Sequence, residues 1–280
     1  VSLSRVHKKT LLMLFEKPSL RTRVSFETGM TQLGGHAIFY STADSPLGKK
    51  ESMSDTAKVL SRMVDIVMAR VFKRSQINEL AEHSTIPIIN ALDDFAHPCQ
   101  MLADLLTIYE KKGDLRNIQM CYCGDLCNNV TYDLMRSAAA LGFRINVTGP
   151  SGEGFDVEPA VLEECAQLCA VTGGAVNVVH NPVEAITGAD VIYTDSWMSY
   201  GIAGATREER VAKFMPFQVN AALMSHAKPD AIFMNCLPAE RGAEQTAEVI
   251  DGPQSVVFDE AENRLHAQKA LLLFLLGVPY

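Results

Sequence analysis

The sequence predicts an α/β protein of two domains, each built on a largely parallel sheet. Three observations lead there. Short β-rich apolar runs alternate with stretches of helical periodicity, the signature of successive βα units. The series is interrupted once, by the polar break Lys111-Lys112-Gly113-Asp114, and then restarts. Polar residues gather where predicted strands end, which is where open α/β sheets bind ligands.

Taken in order, Thr10–Phe15 reads as a strand and Arg21–Leu33 as a helix closed by Gly34-Gly35. His36–Tyr40 is a strand, Ser54–Met63 a helix, Asp65–Val71 a strand and Ser75–His83 a helix. Ile86–Asn90 and the helix Pro98–Lys111 close the first series. The second opens with strand Ile118–Gly124, helix Asn129–Leu141, strand Arg144–Thr148 and helix Glu158–Val171. Strands Val176–Val179, Val191–Thr194 and Ala231–Met234 follow, with helices between them and a final helix from Glu260 to Leu276. The strand ends then carry Ser19–Arg23, Arg70, His97–Gln100, Asp125–Asn129, Asp195–Gly201 and Asn235–Pro238. Six polar strand ends on one edge predict a ligand cleft between the two domains.

Composition narrows the function. The 280 residues are 48% hydrophobic and 21% charged, an ordinary globular balance, and the net charge of -8 argues against a nucleic-acid partner. No signal peptide or membrane span is visible, since the apolar stretch Ala270–Leu276 is too short to cross a bilayer. Seven Cys without a disulfide-framework spacing predict reduced thiols and a cytoplasmic setting. Cys121, Cys123 and Cys127 lie close together, but no paired C-x2-C knuckles appear, so no metal is expected.

The segment Phe15-Glu16-Lys17-Pro18-Ser19-Leu20-Arg21-Thr22-Arg23 leaves a strand and enters a helix. A helix N-terminus carries unsatisfied N–H groups and partial positive charge. Hydroxyls at Ser19 and Thr22 with the Arg21 guanidinium would complete a phosphate cradle. An ordinary Ser N-cap followed by surface Arg is the plainer alternative, and the residues alone leave both open.

This segment resembles the carbamoyl-phosphate motif of the aspartate/ornithine carbamoyltransferases, and its surroundings fit the ornithine branch. The resemblance continues along the chain. Asp55-Thr56-Ala57-Lys58-Val59-Leu60-Ser61-Arg62, His97-Pro98-Cys99-Gln100, Asp195-Ser196-Trp197-Met198-Ser199-Tyr200-Gly201, Cys236-Leu237-Pro238 and Glu260-Ala261-Glu262-Asn263-Arg264 match further family motifs in order. The resemblance implies two Rossmann-like domains, with a last helix that returns to the first. Residues 1–114 plus 264–280 would bind carbamoyl phosphate, and 115–263 the amino acid. The family also carries a helix ahead of the first strand, for which the sequence from Val1 shows no counterpart.

By the same resemblance, Ser19, Leu20 (through its N–H), Arg21 and Thr22 hold the phosphate, and Arg264 joins them. Arg70, His97 and Thr22 face the carbonyl oxygen, and Gln100 the carbamoyl amide. Asn129, Asp195 and Ser199, with Tyr200 alongside, bind the α-amino acid, while Cys236 and the Leu237 carbonyl lie near the reacting amine. The implied reaction moves the carbamoyl group to the side-chain amine of L-ornithine, giving L-citrulline and phosphate. It needs no cofactor, and the family assembles as homotrimers or multiples of trimers. Taken singly, His97 reads as a helix-capping or core histidine, Arg70 as a snorkelling or ion-paired arginine, and Cys236 as a buried thiol.

Three positions depart from the family pattern. Tyr200 stands where Met is usual, Asn235 where His precedes Cys-Leu-Pro, and Pro46 where Gln or His is common in a loop reaching a neighbouring subunit. These changes keep alive an acceptor such as putrescine or an acylated ornithine, and an inactive homologue. A dinucleotide-binding dehydrogenase is disfavoured, because Gly124-Asp125-Leu126-Cys127-Asn128-Asn129 lacks the G-x-G-x-x-G fingerprint.

Overall fold

The computed structural model describes residues 6–43, 51–198 and 207–278. Ser199, Tyr200 and the loop containing Pro46 lie outside them. The chain divides into two compact units, Val1–Ala103 with Glu262–Tyr280, and Asp104–Ala261.

The first unit contains β1 (Thr10–Phe15), α1 (Leu20–Gln32), β2 (His36–Ser41), α2 (Met53–Leu60), β3 (Ile66–Arg70), α3 (Arg74–His83), β4 (Ile88–Leu92) and the start of α4 (Pro98–Lys112). Its strands pair in parallel in the order β2-β1-β3-β4. Period-two alternation assigns the two faces. Leu11, Met13 and Phe15 of β1 with Ile66 and Met68 of β3 pack under Phe26 and Met30 of α1. On the other face Leu14, Ala69 and Val71 meet Met53 and Ala57 of α2 and Leu80 of α3. A sheet covered on both faces explains why β1 and β3 read as continuous apolar runs. Edge strand β2 departs from this, with Ile38, Phe39 and Tyr40 exposed.

The second unit contains the end of α4, β5 (Gln119–Cys123), α5 (Asn129–Leu141), β6 (Arg144–Thr148), α6 (Pro159–Thr172), β7 (Ala175–Val178), α7 (Pro182–Ile186), β8 (Val191–Tyr193), α8 (Arg207–Phe214), α9 (Ala221–Met224), β9 (Ile232–Met234), α10 (Ala247–Ile250) and the start of α11 (Val257–Leu275), which from Glu262 onward belongs to the first unit. The parallel order is β7-β6-β5-β8-β9, so the winding reverses between β5 and β8. That switch point is where such sheets open a ligand crevice. Cys121 and Cys123 pack in the core as free thiols. Gly149 is dictated by close approach: a Cβ there would lie 2.1 Å from the Gly124 carbonyl oxygen.

One boundary differs in a way that matters. α11 begins at Val257, with Asp259 and Glu260 in its first turn, so Arg264 sits two turns inside the helix instead of opening it. The sequence reading started the helix at its acidic residues, whereas the buried Val256 and Val257 already lead into it. Leu272 and Leu273, further along α11, complete the core of the first unit. No helix among the described residues is long and apolar enough to cross a membrane.

Asp65 ties the start of β1 to the start of β3. It accepts hydrogen bonds from Lys9 Nζ and from the Thr10 N–H, both at 2.8 Å. Burial pushes its carboxyl pKa up, but these two donors outweigh burial and hold it below the usual aspartate value. The stabilisation is therefore complete above the unfolded-state pKa and is lost as pH falls through the depressed folded value. Asp65→Asn should cost about 1–2 kcal/mol at pH 7. Urea melts at pH 7 and pH 3 check this, with the variant and parent converging at the lower pH.

Candidate active site

The loop after β1 turns into α1 through Ser19, whose extended backbone and side chain make it the N-cap. Ser19 Oγ accepts from the Thr22 N–H at 3.4 Å and donates to Thr22 Oγ1 at 3.1 Å. Thr22 is buried at the base of the helix N-terminus, while Arg21 is half-buried. The leading N–H groups of α1, Leu20 among them, face the same end. Leu20 itself exposes its side chain, consistent with a purely backbone contribution. Arg23 faces away from this chemistry, pairing with Glu27 at 3.2 Å and lying over the Phe39 ring.

Arg264 joins this corner from α11. Its Nη1 donates to Gln100 Oε1 at 2.7 Å and its Nη2 to Thr22 Oγ1 at 3.3 Å. Gln100 in turn belongs to the first turn of α4, where its N–H donates to the His97 carbonyl at 3.0 Å. Arg70 ends β3 next to a register shift in the β3–β4 pairing, where Ala69 faces Asn90 but Arg70 faces Leu92. Such irregularities re-aim a side chain at a sheet end. The Glu16 N–H donates to the Arg70 carbonyl at 2.9 Å, and the Glu16 carboxylate holds the Phe72 N–H and Gln76, fixing the ends of β1 and β3 together.

His97 reports the convergence. Its imidazole is held neutral, well below the usual histidine pKa, first by burial and then by the guanidinium charges of Arg264, Arg70 and Arg21. A neutral imidazole among three guanidiniums can donate one hydrogen bond without adding charge. Helix N–H groups, two hydroxyls and three Arg make this corner an anion site whose neutral donors stand ready for a polarised carbonyl.

In the second unit, Asn128 caps α5, accepting the Val130 N–H at 2.7 Å, and its amide donates to Asp195 Oδ2 at 2.8 Å. Cys236 Sγ donates to the other Asp195 oxygen at 3.2 Å. Asp195 is buried, and burial raises its pKa against the hydrogen bonds of Ser196, Asn128 and Cys236. Asn129 is half-buried at the first position of α5. The Cys236 thiol is pushed well above its usual pKa, chiefly by burial and then by Asp195, Glu260 and Asp104. It remains a thiol at neutral pH, which suits hydrogen bonding and not nucleophilic attack.

Asn235, the departure from the family pattern, keeps its loop in shape. Its Oδ1 accepts the Leu237 N–H at 2.8 Å and its Nδ2 donates to Gln245 Oε1 at 3.1 Å. Leu237 has φ of 56°, a left-handed conformation costly for a branched side chain, and the Asn235 acceptor helps hold it.

Asp125, the first residue of the polar strand end Asp125–Asn129, lies ahead of the Asn128 cap. It forms a buried ion pair with Arg210 at 2.5 Å, and the same guanidinium donates to the Trp197 carbonyl. Sequence reasoning missed Arg210, because nothing in Arg207-Glu208-Glu209-Arg210 marks one arginine as buried. It also gave no role to Asp104, Tyr193 or Glu260, which meet behind the Asn235 backbone.

Comparison with known proteins agrees with both units. Residues 2–110 match the family described as aspartate/ornithine carbamoyltransferase, carbamoyl-P binding domain, and residues 116–275 its Asp/Orn binding domain. An ornithine carbamoyltransferase of Thermococcus kodakarensis is 52% identical over 269 residues, 96% of this chain and 84% of its own. One from Bacillus subtilis is 52% identical over 270 residues, 96% of this chain and 83% of its own. The solved ornithine carbamoyltransferase of Pyrococcus furiosus superposes with a TM-score of 0.93 at 50% identity, over 99% of this chain and 88% of its own. A solved N-acetyl-L-ornithine transcarbamylase superposes at 0.87 with 30% identity, over 97% of this chain and 90% of its own.

If the corner around His97 is an anion site, Arg21→Met should weaken inorganic phosphate binding by roughly 10- to 100-fold, the loss of a charge-assisted hydrogen bond. Calorimetric titration of parent and variant with orthophosphate measures this, and unchanged affinity would refute the assignment.

Proposed function

Because the chain belongs to the aspartate/ornithine carbamoyltransferase family, we propose that it transfers the carbamoyl group of carbamoyl phosphate to the side-chain amine of L-ornithine, releasing L-citrulline and phosphate. The observation that carries the proposal is the convergence of Arg21, Arg70 and Arg264 on a neutral His97 beside the Ser19 helix cap. The relatives at 50–52% identity bear ornithine carbamoyltransferase names, against 30% for the acetylornithine enzyme, which favours free ornithine as the acceptor.

In this reading Ser19, the Leu20 N–H, Arg21, Thr22 and Arg264 bind the phosphate. Arg70, His97 and Thr22 donate to the carbonyl oxygen, and Gln100 binds the carbamoyl amide. Attack by the amine forms the C–N bond and places negative charge on that oxygen, where fixed donors lower the barrier. Collapse breaks the C–O bond to phosphate, and the departing phosphate takes the proton shed by the amine. The amine must be neutral to attack, although a free alkylamine is protonated at pH 7. Nearby cationic groups and desolvation favour its neutral form. Asn129, Asp195 and Ser199, with Tyr200, bind the α-amino and carboxylate groups. Cys236 and the Leu237 carbonyl orient the reacting amine. Orientation of two bound substrates supplies much of the rate, with no covalent enzyme intermediate.

A phosphate-release assay with carbamoyl phosphate and L-ornithine, putrescine or N-acetyl-L-ornithine tests the assignment. Ornithine should be the preferred amine by kcat/KM. Preference for another amine would move the acceptor, and carbamoyl-phosphate binding without turnover would indicate an inactive homologue. Asp195 adds a signed expectation. Only its carboxylate form pairs with an ammonium, so ornithine affinity should fall as pH drops through its raised pKa. That decline should begin at higher pH than an ordinary aspartate would give. Asp195→Asn should abolish that pH limb and weaken ornithine binding by about 2–5 kcal/mol, as for a lost buried charge pair.

The assembly we propose is a homotrimer or a multiple of trimers. Its support is edge strand β2, whose exposed Ile38, Phe39 and Tyr40 are the kind of apolar edge that proteins usually cover. Light scattering should give a mass of three chains or a multiple, and Ile38→Lys should reduce it. We place the protein in the cytoplasm, where its seven free cysteines would stay reduced.

A further inference from the structure

The turn that delivers His97 is held by a carboxylate to which the proposed reaction assigns no task. It runs from Leu92, the end of β4, to Pro98, the start of α4. Asp93 opens the turn and is buried. Its Oδ1 accepts the Phe95 and Ala96 N–H groups, both at 2.7 Å, and its own N–H donates to the Ala96 carbonyl at 3.0 Å. Its Oδ2 accepts from Asn90 Nδ2 at 2.9 Å and pairs with Arg74 Nε at 3.5 Å.

Arg74, the first residue of α3, braces the same turn from outside. Its N–H donates to Asp94 Oδ1 at 2.9 Å, and its guanidinium lies 4.1 Å from the centre of the Phe95 ring. On the far side of His97, the Cys99 thiol donates to the Asn90 carbonyl at 3.4 Å, and the Gln100 N–H to the His97 carbonyl. His97 therefore enters α4 with its backbone fixed on both sides, and the direction of its imidazole follows. A side-chain oxygen that gathers successive N–H groups stands in for a backbone turn. A hydroxyl could do that much, but a second oxygen is needed to hold Asn90 and Arg74 as well.

We propose that Asp93 is a positioning residue for the transfer step: its carboxylate sets the turn that aims the His97 imidazole at the carbamoyl oxygen. This rests on the reading of His97 as a donor to that oxygen. A donor displaced by about 1 Å can cost about 100-fold in rate, whereas the phosphate, held by α1, should bind as before. The imidazole is kept neutral first by burial and then by Arg264 of α11, Arg70 of β3 and Arg21 of α1, so its titration reports whether the turn still encloses it.

Asp93→Ala should lower kcat by about 10- to 100-fold, with orthophosphate affinity and the KM for ornithine within about threefold of the parent. With the turn loosened, water reaches the ring, and His97 should titrate at higher pH than in the parent. NMR of ring-labelled histidine reads this directly, the His97 signal being assigned by its loss in His97→Gln. Asp93→Asn keeps an oxygen for the two N–H groups. Asn90 Oδ1 has no hydrogen-bond partner among the described residues, so a rotated Asn90 amide can accept from the new Nδ2. This variant should restore kcat to within about threefold of the parent. If Asp93→Ala does not fold, Asp93→Ser keeps one acceptor and should lower kcat about three- to tenfold, with the same His97 signature. The proposal is overturned if the folded Ala or Ser variant loses thermal stability only, with parental kcat and a parental His97 titration. It is also overturned if orthophosphate affinity falls as far as kcat, or if Asp93→Asn is as damaging as Asp93→Ala. A parent protein that transfers no carbamoyl group would defeat the reading of His97, while the NMR comparison would still decide whether Asp93 sets the ring.

Discussion

Burying the Asp195 carboxylate is the constraint around which the strand-end loops of the second unit are arranged. An ionised carboxyl withdrawn from water is tolerated only when hydrogen-bonded on its remaining lone pairs. One oxygen is met by Asn128, which must then cap α5, and the other by Cys236, which fixes the loop after β9. Neighbouring Asp125 is neutralised in the same way by Arg210, whose fork also holds the Trp197 carbonyl two residues beyond Asp195. The ends of β5, β8 and β9 are thus tied together by polar contacts where the sheet order leaves a crevice. What remains available to a ligand there is negative, which suits an ammonium group.

The first unit poses the opposite problem. Arg21, Arg70 and Arg264 all act on one neutral histidine, so the polar corner at the end of β1 concentrates positive charge in a chain of net charge -8. Local arrangement and not bulk charge decides which ligand binds. The Ser19 cap, the Thr22 hydroxyl and the Gln100 amide join the Arg264 guanidinium in one network, so these groups are placed before any anion arrives. Preorganisation of this kind is what acyl-type transfer from phosphate demands, since the charge that develops is brief and localised.

Much of this was legible in the sequence. The βα alternation located the strands of both sheets: β1 and β3, buried on two faces, left unbroken apolar runs, whereas the largely exposed edge strand β2 was legible through its place in the alternation. The anion corner was readable because Ser19-Leu20-Arg21-Thr22 encodes a helix cap and its charges in consecutive residues. Contacts between residues far apart in sequence were not. Arg210 and Asp125 are 85 residues apart; Asp125 was visible at a polar strand end, but no pattern singled out Arg210 as its partner. Glu260 was visible as part of a motif, yet its grip on the Asn235 N–H depends on where α11 begins, and the acidic first turn disguised that start. Asn235 shows the limit from the other side: its departure from the family motif left a different acceptor or an inactive homologue open, and only the structure shows its side chain bonding both Leu237 and Gln245.

The account depends most on the claim that the second unit recognises a free α-amino acid through Asp195. Trp197, the sole tryptophan, is buried two residues away and its emission should report occupancy. The measurement is a fluorescence titration with L-ornithine and with N-acetyl-L-ornithine, in the parent and in Asp195→Asn. The account predicts a saturable change with ornithine, a much weaker response to the acetylated compound whose α-amine carries no charge, and loss of the ornithine response in the variant. An equal response to both compounds, or an ornithine response that survives Asp195→Asn, would contradict it.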